Sequence, residues 1–177
     1  MMSPSVLLHL LGGTKSAGHL RRCINLWPPF LGAGIRVKHI SADMKAIDVE
    51  MKLRWWNANY VGTQFGGSLF AMTDAFYMLM LMANLGDDYI VWDKSASIRY
   101  KRPGRGTVRA EFRLSDSQID DIHEKLITLL KFEPVFTVVV KDEGGGVIAE
   151  VEKLLHVRRK DSLSNRQTAY KDPNVHS

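Results

Sequence analysis

Between Asn59 and Gly86 the chain carries one charged side chain, Asp74. Almost everything else in that stretch is apolar, small or glycine, and from Phe65 to Ala83 it reads as a helix that Gly86 closes. This feature constrains the fold more than any other, because a helix apolar on nearly every side needs cover on nearly every side. It also poses a chemical question. A buried carboxylate without a partner is costly, so either a group elsewhere satisfies Asp74 or the carboxylate is there to react.

The run is long enough to cross a bilayer, which takes roughly 20 residues. Gly66, Gly67, Ser68, Thr73 and Asp74 make a crossing expensive, and the segments that follow have the pattern of globular sheet. The segment SVLLHLLGG at 5–13 is too short to span and lacks the preceding basic residue of a secretory signal. The acid-free, Arg-containing start faintly resembles an organelle transit peptide, but an amphipathic docking helix is the simpler reading.

Around the apolar helix the chain alternates. Residues 19–30 read as a helix that Pro28 and Pro29 stop. Apolar and polar residues alternate over Ile35 to Ile40 and Ala46 to Leu53, as in a bent strand or a hairpin. Further strands are expected over Tyr89 to Tyr100 and Thr107 to Leu114, with a turn at RPGRG. Ile119, Ile122, Leu126, Leu129 and Leu130 line one face of an amphipathic helix, with Ser117 and Asp120 fitting a capping box. A hairpin through Gly144, Gly145 and Gly146 ends the domain, and the tail after Lys160 is polar. One apolar helix among mostly antiparallel strands predicts an α+β fold, a curved sheet wrapped around the helix and closed off by a second copy. The expected organisation is an N-terminal helical arm at 1–30, one domain at 31–160 and a tail at 161–177.

Charge and cysteine content narrow the function. Five of the 24 basic residues, Lys15, Arg21, Arg22, Arg36 and Lys38, precede the first acid, Asp43, and the rest of the chain is neutral. No basic run interleaved with aromatics points to nucleic acid. Cys23 alone forms no internal disulfide, which fits a reducing, cytoplasmic setting. The six histidines are scattered, so no metal site is expected.

The start of the apolar helix supplies the site. The amides of Gly66 and Gly67 would be free donors at its positive end, able to hold a carbonyl oxygen or a developing oxyanion. Asp74 follows Gly66 by eight residues, or roughly 12 Å along a helix axis. One small reacting group cannot touch both. In a dimer, the helix start of one subunit would face Asp74 of the other.

NYVGTQFGGSLFAMTD resembles the signature of hot-dog-fold acyl-CoA thioesterases of the phenylacetate-pathway type. There a helix opens with His-Gly-Gly and carries Asp or Glu eight residues after the first glycine. NLWPPFLGAGI, RWWNANYVGTQFGG, YIVWDKSASI and RPGRG are more similar still to a hot-dog branch described as a domain of unknown function, over about residues 25–158. The resemblance implies a hot-dog fold and hydrolysis of an acyl-CoA, with coenzyme A as part of the substrate and no other cofactor. Gly66 would polarise the thioester carbonyl, Gly67 would keep the approach open, and Asp74 would serve as general base or nucleophile. Asn59 and Gln64 would position substrate or water. Phe65 stands where the pattern has histidine, so it can transfer no proton and is either an acyl-pocket wall or a core aromatic. Lys94, Arg99, Lys101, Arg102 and Arg105 would meet the phosphates of coenzyme A or be solvated strand-end charges. The methionines Met72, Met78, Met80 and Met82 are core filler or a pliable acyl wall. The expected partners are an acyl-CoA and further copies of the chain, as a dimer or dimer of dimers, with neither nucleic acid nor membrane. The alternative is a non-catalytic acyl-CoA or fatty-acyl binding protein or sensor, with Asp74 structural.

Overall fold

The computed structural model describes residues 17–160. Two short helices, α1 (Ala17–Asn25) and α2 (Pro28–Ala33), lead into the hairpin β1 (Ile35–Ile40) and β2 (Ala46–Lys52). Pro28 and Pro29 do more than stop the first helix. They occupy the first turn of a second one, where a missing N–H costs nothing. The apolar segment follows as α3 (Gly66–Ala71) and α4 (Phe76–Leu85), then β3 (Tyr89–Tyr100), β4 (Thr107–Arg113), α5 (Asp116–Thr128), β5 (Val135–Asp142) and β6 (Val147–Arg159). The cap of α5 is Ser115 with Gln118 rather than Ser117 with Asp120. The longer Gln118 side chain reaches back to the Ser115 amide at 2.9 Å. The tail after Lys160 and the SVLLHLLGG segment lie outside the described residues.

All six strands form one antiparallel sheet in the order β1-β2-β4-β5-β6-β3. Alternation puts Ile47, Val49 and Met51 of β2 and Val108, Ala110 and Phe112 of β4 on the covered face, with charged residues opposite. The helices lie on that face. Phe76 packs on Phe112 with ring centroids 4.9 Å apart, and Tyr77 stacks on Phe136 at 4.5 Å. Leu20 and Phe30 join the same core, so α1 and α2 are part of the domain's packing.

The expected wrapping is corrected by this topology. The sheet is α+β as read, but it is an open layer, neither strongly curved nor closed, with β1 and β3 as free edges. The apolar segment packs against it instead of being enclosed. It is also not one unbroken helix: residues 72–75 form a turn between α3 and α4. Half of its most apolar window is buried; Phe76, Tyr77, Met80 and Leu81 are covered, whereas Met78 and Met82 are partly open and Ala83 is exposed. The two edges differ. Asn25 shields β1 by bonding both the Val37 amide (2.7 Å) and its carbonyl (3.0 Å). No strand among the described residues pairs with the outer edge of β3, and half of its side chains are exposed.

Candidate active site along the edge strand

The interruption of the apolar helix sets the position of Asp74. Thr73 N and Asp74 N reach back three residues, to Phe70 O (3.0 Å) and Ala71 O (3.2 Å), and Thr73 Oγ1 donates to Phe70 O (2.8 Å). This tightened turn presents the Asp74 side chain toward β6. There it meets Lys153, whose Nζ donates to Asp74 Oδ1 and to the Asp74 carbonyl, both at 2.9 Å. Asp93 of β3 stands on the other side, with Oδ1 3.1 Å from the same nitrogen, an ion pair without hydrogen-bond alignment. The Lys153 side chain is 1% exposed, while Asp74 is 57% exposed. A buried ammonium is tolerated only with such compensation. Burial holds the Asp93 carboxyl above its ordinary range, and the Lys153 charge opposes that shift.

Lys153 therefore answers the question that Asp74 poses, and sequence reasoning missed it. The signal was strand parity: Lys153 alternates with the buried Val151, Leu155 and Val157 and so points into the core. Asp93 shares the parity of the buried Val91 in the same way.

At the far end of β3 the start of α3 is held by Tyr100, whose hydroxyl donates to Gly66 O at 3.0 Å. Phe65 caps this helix without a side-chain bond and is half exposed. Its ring lies across Gly67, where a Cβ would come within 2.5 Å of Phe65 Cε1. Gln64 is buried: its amide nitrogen donates to Met51 O (3.2 Å) and Gly106 O (2.9 Å), and its Oε1 has no partner among the described residues. Asn59 is spent on its own loop, accepting from the amides of Val61 and Thr63 and donating to Thr63 Oγ1.

The basic residues do not form one cluster. Lys94 pairs with Glu133 (2.7 Å) near the start of β3, whereas Arg102 pairs with Asp142 (2.6 Å) beyond its end, where Arg105 is exposed. Lys94 first, then Lys131 and His156, hold the Glu133 carboxyl down at about 2. The protomer thus carries a carboxylate centre beside the middle of β3, where Lys153 pairs with Ala96, and the Gly66 helix start at the strand's end. Seven residues of strand separate Asp93 from Tyr100, or about 20 Å.

The family model described as a domain of unknown function, DUF4442, matches residues 19–157. A comparison with curated proteins gives no match. Among solved structures, the chain is similar to a Pseudomonas aeruginosa protein of unknown function described as a probable thioesterase. The identity is 23%, the coverage 90% of this chain and 98% of that one, and the TM-score 0.65. A thioesterase from Haemophilus influenzae matches at TM-score 0.61 and 15% identity, over 83% of this chain and 93% of its own. A Chlorobaculum tepidum protein of unknown function matches at 0.64 and 12% identity, over 81% and 94%. At these identities the likeness is one of fold.

Proposed function

This chain belongs to the DUF4442 family, and from that premise we propose that it hydrolyses the thioester of an acyl-CoA in a site completed by a second copy. The observation that carries the reading is the placement of Asp74 beside the middle of an edge strand and of Gly66 at its end, with no strand among the described residues covering that edge. Two β3 strands paired antiparallel about a two-fold axis would set Asp74 of one protomer beside the Gly66 helix start of its partner. The same contact would cover the open side of the apolar helices and remove the exposed edge.

In that site the Gly66 amide, first in its helix and without an intrahelical acceptor, donates to the thioester oxygen. Asp74, oriented by Lys153, takes a proton from water as the water attacks the carbonyl carbon; alternatively its oxygen attacks directly and water cleaves the resulting anhydride. Either way the C–S bond breaks, the coenzyme A thiolate leaves and takes up a proton, and the acid is released. Phe65 contributes surface rather than protons.

Two observations favour a second reading, an acyl-CoA binding protein without turnover. Phe65 replaces the histidine of the thioesterase pattern, and Asp74 is already tied to a buried ammonium. Free-thiol release from short, long and aromatic acyl-CoAs, by wild type beside Asp74→Asn, separates the two. Turnover lost in a folded Asp74→Asn protein supports the hydrolase. Tight binding without thiol release by wild type supports the binder.

A further inference from the structure

The chain has four tryptophans, and Trp55 and Trp56 stand exposed together in the loop after β2, at the opposite side of the sheet from β3, with Trp27 exposed next to α2. Trp55 is 88% exposed, and Leu26 beside Trp27 is 70% exposed. Large apolar side chains standing free in this number mark an interaction site rather than chance exposure. Beside Trp56 lies a cleft of about 370 Å³ on the outer face of β1 and β2, lined by Leu31, Trp56 and the cations Arg36, Lys38, Lys52 and Arg54. Its one acid, Glu50, is shared between Lys38 (3.7 Å) and Arg109 (3.4 Å). The surface is continuous. Arg54 lies over the Trp56 ring at 5.2 Å, Trp56 meets Trp55 edge-on at 5.7 Å, and Arg21 reaches the Lys38 carbonyl at 3.2 Å. Asn57 fastens the Trp55-Trp56 loop to the end of α2 through the Ala33 carbonyl.

Charge and shape together select the occupant. A second copy docked by a two-fold axis would set these cations against themselves. A small polyanion would fill the cleft and leave Trp55 and Leu26 in water. A nucleic-acid backbone would satisfy the cations but gives Leu26 and Leu31 nothing to bury. A bilayer surface with acidic headgroups satisfies both kinds of residue, since indoles favour the headgroup level and cations the anionic lipid. We propose that this surface docks the protein onto membranes rich in anionic phospholipid. It departs from the expectation of no membrane partner, which weighed only a spanning helix. The patch is assembled from residues 21–38 and 52–56, which the sequence keeps apart.

The test uses the full chain carrying Trp92→Phe, so that emission comes from Trp27, Trp55 and Trp56. Vesicles of phosphatidylcholine are compared with vesicles of phosphatidylcholine and phosphatidylserine, by sedimentation and by quenching with bromine-tailed lipid. Binding and quenching are expected on the anionic vesicles and should reverse in high salt. Arg36→Glu with Lys52→Glu should weaken binding on the order of tenfold or more, and Trp55→Ser should reduce the quenching, with thermal midpoints unchanged in both. Equal binding to neutral vesicles, or binding indifferent to those substitutions, overturns the proposal. So does retention of a DNA duplex with the vesicles left unbound. Asp74→Asn should bind vesicles as wild type does, which separates this proposal from the hydrolase reading.

Discussion

Replacing Lys153 with methionine tests the account of the carboxylate centre. Methionine keeps much of the length and removes the ammonium that joins Asp74 to Asp93. Removing one partner of a fully buried pair costs about 3–5 kcal/mol. Asp74 is more than half exposed and regains water, so the loss falls on Asp93, and we expect about 2 kcal/mol at neutral pH. For a domain of this size that is a fall in Tm of about 4–8 °C. The pH dependence carries the sharper prediction. Burial already raises the Asp93 carboxyl above its ordinary 3.8, so the native state holds a proton that the unfolded chain has lost, and stability falls as pH rises through that window. Without Lys153 nothing opposes the shift. The deficit of Lys153→Met should therefore be smallest below pH 3.8, where Asp93 is protonated in both states, and grow toward neutrality. Urea unfolding across this range reads it, and adding Asp93→Asn should return most of the lost stability. A deficit that does not change with pH, or that Asp93→Asn leaves untouched, would refute the reasoning.

Other substitutions probe the frame around the site. Gly34 has φ +74° and its Cβ would sit 2.7 Å from Asn57 Nδ2, so Gly34→Ala should cost about 2 kcal/mol in thermal unfolding. Ser115→Ala removes the N-cap of α5 and should cost about 1 kcal/mol by the same measure. Lys94→Met should let the Glu133 carboxyl rise from about 2 toward its ordinary 4.5, as followed by NMR titration. A depressed carboxylate stabilises the fold fully above pH 4.5 and loses that contribution as pH falls toward 2, so this variant should be affected less by acid than wild type.

Much of the fold was legible because strand parity is a local signal. Ile35–Ile40 and Ala46–Lys52 run as the alternation implied, Tyr89–Tyr100 is the strand expected before RPGRG, and the glycine hairpin joins β5 to β6. The interruption at 72–75 was not, since Met-Thr-Asp-Ala contains no proline or glycine and the break is a matter of how Thr73 and Asp74 bond locally. Sheet order is a non-local property, so nothing in β3 itself says that its partner is β6 and that its other side has no strand among the described residues. The same holds for the site. Asp74 and Gly66 announce themselves by composition, but Lys153 is brought to Asp74 from 79 residues away. Asn59 and Gln64 drew attention as polar residues beside the glycines; what they bond is the backbone of the surrounding loops.

The central claim is that one catalytic centre takes Asp74 from one protomer and Gly66 from the other, and subunit mixing tests it directly. Gly66→Pro removes the donor at a helix position that accepts proline, after a Phe65 already at φ −68°, ψ 127°. Asp74→Asn removes the carboxylate. Each pure variant should release no thiol. Unfolded and refolded together in equal amounts, they form mixed dimers in which one of the two sites is intact, so about a quarter of wild-type turnover should return. No recovery from well-folded mixed dimers would contradict a shared site.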